Sequence, residues 1–130
     1  MKEYKLRIAD KILIKNLNTF SLIFESLCIR DLGVYAESIN GNVYHYKDSS
    51  GLECDAVVHL RNGNYVLIEI KLGGDNLIDI GAENLKKLNK KIDTTKMNKS
   101  SFLMVLTAIG KYAYKREDGV CVVPIGCLKN

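Results

Sequence analysis

A chain of 130 residues, 47% apolar and 26% charged, can build one hydrophobic core and is too apolar to remain disordered. Nineteen basic against fifteen acidic residues leave a net charge of +4, which permits a polyanionic partner without demanding one. No apolar run approaches the roughly 20 residues of a membrane span. Residues 1–10 also lack the apolar stretch of a signal peptide, so the expectation is a cytoplasmic protein with no membrane partner.

Residues 1–18 form a separate N-terminal segment in this reading. Leu6, Ile8, Ile12, Leu13, Ile14 and Leu17 suit a short helix that docks on the domain or on a neighbour. The domain proper spans 19–130. Thr19 is the expected N-cap of its first helix, in which Phe20, Ile23, Phe24, Leu27, Cys28, Leu32, Tyr35, Ala36 and Ile39 recur at helical spacing. Asn40-Gly41 closes that helix. Glu25 borders the apolar stripe. It reads first as a partner for a basic residue such as Arg30, and second as a carboxylate delivered to the edge of a sheet.

Three strands follow, over 42–47, 53–61 and 65–72, with Asp48-Ser49-Ser50-Gly51 turning between the first two. His45, between Tyr44 and Tyr46, reads as a surface or core histidine. In the third strand Val66, Ile68, Ile70 and Leu72 alternate with Tyr65, Leu67, Glu69 and Lys71. Matching apolar faces across the 53–61/65–72 hairpin requires paired residue numbers with an even sum, as in 58 with 68. A three-residue loop, Asn62 to Asn64, satisfies that parity. It sets Asp55 opposite Lys71 and diagonal to Glu69, and gathers Glu53, Asp55, Glu69 and Lys71 on one face.

Two carboxylates about 5 Å apart repel by roughly 3 kcal/mol at an effective dielectric of about 20. Lys71 offsets one of the three acids on that face. A divalent cation with oxygen ligands would offset the rest; a solvated face with surface ion pairs is the plainer alternative.

Gly73-Gly74 ends the third strand, and Asn76 with Asp79 is the expected capping pair of a second helix running to about residue 93. Leu77, Ile78, Gly81, Leu85, Leu88 and Ile92 point inward. Lys86, Lys87, Lys90 and Lys91 lie outward, with Lys96 and Lys99 beyond. Such a face suits a phosphate backbone. It suits plain solvation equally well, and no aromatic residue interleaves with the lysines. Residues 101–107 form a buried strand, and 111–116 with 120–123 form a small C-terminal β hairpin around Glu117-Asp118-Gly119, ended by Pro124. Cys28, Cys54, Cys121 and Cys127 show no metal-ligand spacing with each other or with His45 and His59, and read as reduced, packed thiols. Cys54 stands apart because it adjoins Asp55.

Asp55, thirteen intervening residues and then Glu69-Ile70-Lys71, behind a helix bearing Glu25, resembles the PD-(D/E)-x-K nuclease superfamily. More narrowly, FESLCIRDLGVYAE, YHYKDSSGLECDAVV, IEIKLGG and SFLMVLT look like a domain of unknown function. That domain is found at the C-terminus of bacterial and archaeal AAA-type P-loop ATPases.

The resemblance implies an α/β, restriction-endonuclease-like core of helix, three strands, helix and strand around a mixed sheet. It implies Mg²⁺ or Mn²⁺ held by Asp55, Glu69 and the backbone carbonyl of Ile70, with Glu53 as an extra ligand. Lys71 would orient water or offset charge on the phosphate, and Glu25 matches the helical acid. The activity implied is phosphodiester hydrolysis in nucleic acid, DNA ahead of RNA. Cys54 stands where the superfamily pattern has proline. No G-x-x-x-x-G-K-[ST] motif occurs in these residues, so the chain is read as an excised domain, a shortened relative or a remnant of such an ATPase.

Two rivals use other residues. A non-catalytic module that pairs with itself or with an AAA-type ATPase would use Tyr44, Tyr46, Tyr112, Tyr114 and the N-terminal apolar segment. Nucleic-acid binding without cleavage would use the lysine face.

Overall fold

The computed structural model describes residues 8–92 and 102–128, with side chains from residue 15 onward. Two α-helices, α1 (Ile8–Ser38) and α2 (Asp75–Lys91), cover a sheet of six strands. The strands are β1 (Gly41–Lys47), β2 (Glu53–Leu60), β3 (Tyr65–Lys71), β4 (Phe102–Thr107), β5 (Tyr114–Lys115) and β6 (Cys121–Pro124). Their spatial order is β1-β2-β3-β4-β6-β5. The β3/β4 and β4/β6 pairs run parallel and the others antiparallel, so the sheet is mixed.

The period-2 pattern of the central strands explains the two-sided core. Ala56, Val58, Ile68, Ile70, Met104 and Leu106 meet Phe24, Cys28, Leu32 and Ala36 of α1. Tyr65, Leu67, Val105, Val120 and Val122 meet Ile78, Ala82, Leu85 and Leu88 of α2. Strands covered on both faces lose the polar half of the alternation, which is why β4 is almost wholly apolar. Among the described residues no helix is long and apolar enough to cross a membrane.

Several expectations need correction. Helix α1 does not begin at Thr19. Its hydroxyl donates to the carbonyl of Lys15 at 3.0 Å, four residues back inside a continuous helix. The buried stripe is narrower than expected, because a single helix presents only one face to a sheet. Phe24, Cys28, Leu32 and Ala36 are buried, while Phe20, Ile23, Leu27 and Ile39 are exposed. Asn40 takes the left-handed conformation that ends the helix. Leu6, Lys96 and Lys99 lie outside the described residues.

Asn76 and Asp79 do not cap α2. Gly74 occupies the N-cap without a side-chain bond, and Asp79 instead accepts a 2.7 Å bond from Arg116. Leu77 is exposed rather than inward. The C-terminal hairpin is no appendage either. Val122 is buried and β6 pairs along β4, so the hairpin extends the main sheet.

The central hairpin keeps its even parity but shifts register by two. Leu60 donates to Asn64 at 2.8 Å, so the loop is Arg61-Asn62-Gly63, and Ala56 faces Ile68. A three-residue hairpin loop needs a left-handed residue at its last position, and only Gly63, at φ 89°, supplies one cheaply. The Asn62 side chain accepts the Asn64 amide at 2.9 Å and secures the turn.

Candidate functional site

The register change decides which charges meet. The β2–β3 ladder ends at Ala56–Ile68. On its other side β2 carries a bulge: Tyr44 pairs with Val57 but Tyr46 with Cys54, leaving Asp55 and Ala56 together opposite His45. Beyond the last ladder pair the Ile70 amide has no β2 backbone partner. The Asp55 carboxylate fills that role, accepting the Ile70 N–H at 2.8 Å. Asp55 therefore meets Glu69 and Ile70 rather than standing opposite Lys71 as the expected register had implied.

Glu69 is only 4% exposed. Desolvation by burial, then the charge of Asp55 and a hydrogen bond shared with it, push the Glu69 carboxyl well above the usual carboxylate range. A donor from Asn84 and the charge of Lys71 act in the opposite direction. Lys71 lies on the same face of β3 one alternation further on, where the Cβ position of Gly81 is within 3.4 Å of its Cγ and 3.5 Å of the Glu69 Cβ.

Glu25 faces the sheet from α1. Burial, then Asp55, raise its carboxyl, while His45 and Lys71 lower it. It belongs to this cluster, and Arg30 instead approaches Asp31 at 4.0 Å. Glu25, Glu37, His45 and Asp55 line a cleft of about 470 Å³ between α1 and β1. Glu53 meets His45 Nε2 at 2.9 Å, and its charge also acts on Glu25. His45, read from sequence as an ordinary histidine, is thus the partner of a candidate acid.

Sequence reasoning also missed Asn84. Its Nδ2 donates to Glu69 Oε1 and, at 2.8 Å, to the Glu53 carbonyl. One signal was available: Asn84 is the polar residue within the inward stripe Gly81–Leu85–Leu88.

Among the described residues, no three His, Cys, Asp or Glu side chains stand together so as to hold a metal ion by themselves. That excludes an all-protein cage as the residues stand. It still fits Mg²⁺ or Mn²⁺. Mg²⁺ characteristically takes one or two carboxylates and fills its octahedron with water and substrate phosphate. Asp55 and Glu69 are such a pair, one half-buried and one buried oxygen donor whose repulsion, once both are ionised, a divalent cation relieves. The Ile70 carbonyl belongs to the residue whose amide Asp55 already engages.

The remaining expected residues divide. Lys86 pairs with Glu83 at 2.7 Å and Asp118 at 3.1 Å, and Lys91 with Asp48 at 3.0 Å. Lys87 and Lys90 are exposed, so half of the lysine face is spent on internal pairing. Cys54 points into the α2 core rather than toward Asp55. Its sulfur lies 3.3 Å from the carbonyls of Ala56 and Ile68, and burial pushes its thiol up to about 12. No disulfide forms among the described residues.

These features define an α/β protein with a mixed six-stranded sheet, two helices on opposite faces, and an acid pair where β2 and β3 part. The chain belongs to the family described as Domain of unknown function (DUF4143), whose profile matches residues 20–128. That match takes in all six strands, α2 and every residue of the acid cluster. No curated protein matches the chain.

Proposed function

We propose that this domain is a Mg²⁺- or Mn²⁺-dependent nuclease-like domain that hydrolyses phosphodiester bonds, in DNA ahead of RNA. We further propose that it has a restriction-endonuclease-like core of the PD-(D/E)-x-K type and is related to the C-terminal domain of AAA-type ATPases. The observation that carries this reading is the adjacency of Asp55 and Glu69 at the parting of β2 and β3. Lys71 follows on the same face and Glu25 approaches from α1.

In this reading Asp55 and Glu69 hold the cation, helped by the Ile70 carbonyl. The bound ion lowers the pKa of water and neutralises phosphate oxygens. Glu69 must give up its proton to serve as a ligand. Lys71 orients the attacking water and offsets charge that develops on the phosphate. Glu25 adds a carboxylate on the cleft side of the site, where it can hold water. Glu53 joins only by leaving His45.

The test is a Mn²⁺ titration of wild type against Glu69→Ala, with plasmid nicking by wild type and Lys71→Ala. Saturable binding lost in Glu69→Ala, and nicking reduced by at least about 100-fold in Lys71→Ala, are expected. Wild-type protein that neither binds Mn²⁺ nor cuts single- or double-stranded substrates overturns the reading.

A second reading, a non-catalytic module that pairs with itself or with an ATPase, is favoured by α1. Phe20, Ile23, Leu27 and Val34 follow spacings that suit helix–helix docking, and they remain 42–60% exposed.

A further inference from the structure

We infer that Asn84 is a positioning residue that holds the Asp55–Glu69 pair together by tying α2 to the ends of both β2 and β3. Its consequence for metal binding rests on the reading above. The tie itself does not.

The need for it follows from the backbone. Past Ala56–Ile68 nothing in the ladder joins β2 to β3. Asp55 spans that opening with a bond to Ile70 and a hydrogen bond shared with Glu69, and Cys54 Sγ reaches the Ile68 carbonyl. Once Glu69 ionises the two carboxylates repel, and a donor anchored outside the hairpin opposes their separation. A primary amide has two N–H donors in a fixed fork. Asn84 uses Nδ2 on the Glu69 carboxylate and on the Glu53 carbonyl, two residues before Asp55.

The local sequence of α2 makes this contact possible. Gly81 lies one turn earlier, its Cβ position 3.3 Å from Val105 Cγ2, so the helix comes close over β3 and β4. Ala82, Leu85 and Leu88 then lock the helix rotation that aims Asn84 at the site. Aspartate at 84 cannot donate and adds another negative charge. Leucine keeps the shape without the donors. Glutamine keeps the donors on a longer arm.

Two measurements test the inference. In metal-free protein the Asn84 side-chain amide protons should be shifted from free-amide positions and exchange slowly, and both features should weaken in Glu69→Ala, which leaves only the Glu53 carbonyl as acceptor. Amide signals at free positions in wild type overturn the inference whether or not any metal binds. In the Mn²⁺ titration, Asn84→Ala and Asn84→Leu should raise the Kd by roughly 10- to 100-fold, as loss of an outer-shell partner typically does. Asn84→Gln should recover most of that loss. A folded Asn84→Ala with wild-type Mn²⁺ affinity overturns the inference while leaving the metal reading intact. Wild type that binds no Mn²⁺ removes the metal reading, and the amide signals then decide the tie alone.

Discussion

Glu69 shows most directly how burial and charge act against each other at one residue. Its carboxyl is raised because water is excluded and a second acid adjoins it. Over the interval between its ordinary value of 4.5 and its raised native value, the folded state holds a proton that the unfolded chain has released. This stabilising contribution is complete below the ordinary value and is lost as pH rises through neutrality. Metal-free protein should therefore melt at progressively lower temperature from about pH 5 to pH 8, with a slope of at most about 1.4 kcal/mol per pH unit from this group. Saturating Mg²⁺ should oppose that fall, because an ion bound only by the native state at 100 times its Kd adds about 2.7 kcal/mol.

Glu69→Gln should raise the metal-free melting temperature at pH 8 by several degrees, at roughly 3–5 °C per kcal/mol for a domain of this size, and abolish Mn²⁺ binding. A flat pH profile together with an unchanged Glu69→Gln melting temperature would remove burial as the cause. The acid pair was visible in the sequence as Asp55 and Glu69-Ile70-Lys71. The pairing of Glu53 with His45 was not, because neither residue carries a local mark of its partner.

Elements positioned these side chains through small steric choices. Gly63 set the loop, the loop set the register, and the register brought Asp55 to Ile70 instead of Lys71. The parity of the hairpin was legible because apolar alternation repeats every two residues. A shift of two preserves that alternation, so patterning alone left the register open. Gly81 plays the matching role in α2. Gly81→Val would press against Val105, Lys71 and Glu69, and should cost about 1–3 kcal/mol in a denaturant titration. It should weaken Mn²⁺ binding with it. Gly81→Ala should be nearly neutral, since about 1 kcal/mol of helix propensity is set against contacts of 3.3–3.5 Å.

At the scale of the whole molecule, α1 is longer than the sheet it covers. Its 31 residues extend about 46 Å, yet among its residues with described side chains, 15–38, the buried positions run only from Phe24 to Ala36, and residues 15–23 are all exposed. Under the second reading, wild type should show a concentration-dependent mass in sedimentation equilibrium. Phe20→Ser/Ile23→Ser/Leu27→Ser should sediment as a single chain with its circular dichroism retained. A wild type that stays monomeric across the range counts against self-association. The C-terminal hairpin belongs to this scale too. Its sequence announced two short strands, and only the parallel pairing of β6 with β4 made them part of the sheet. Arg116 and Lys86 then join the hairpin to α2 through Asp79 and Asp118.

The sequence by itself determined the kinds of elements and their order. Helical and strand periodicities, turn residues and glycine positions act over a few residues and need no distant partner. It also determined that acids and a lysine would share the central hairpin. Tertiary structure alone decided which of them touch. Register, bulge and the rotation of α2 depend on contacts between residues far apart in the chain. Those contacts joined Asp55 to Glu69, turned Glu53 toward His45, and brought Asn84 to the two strand ends.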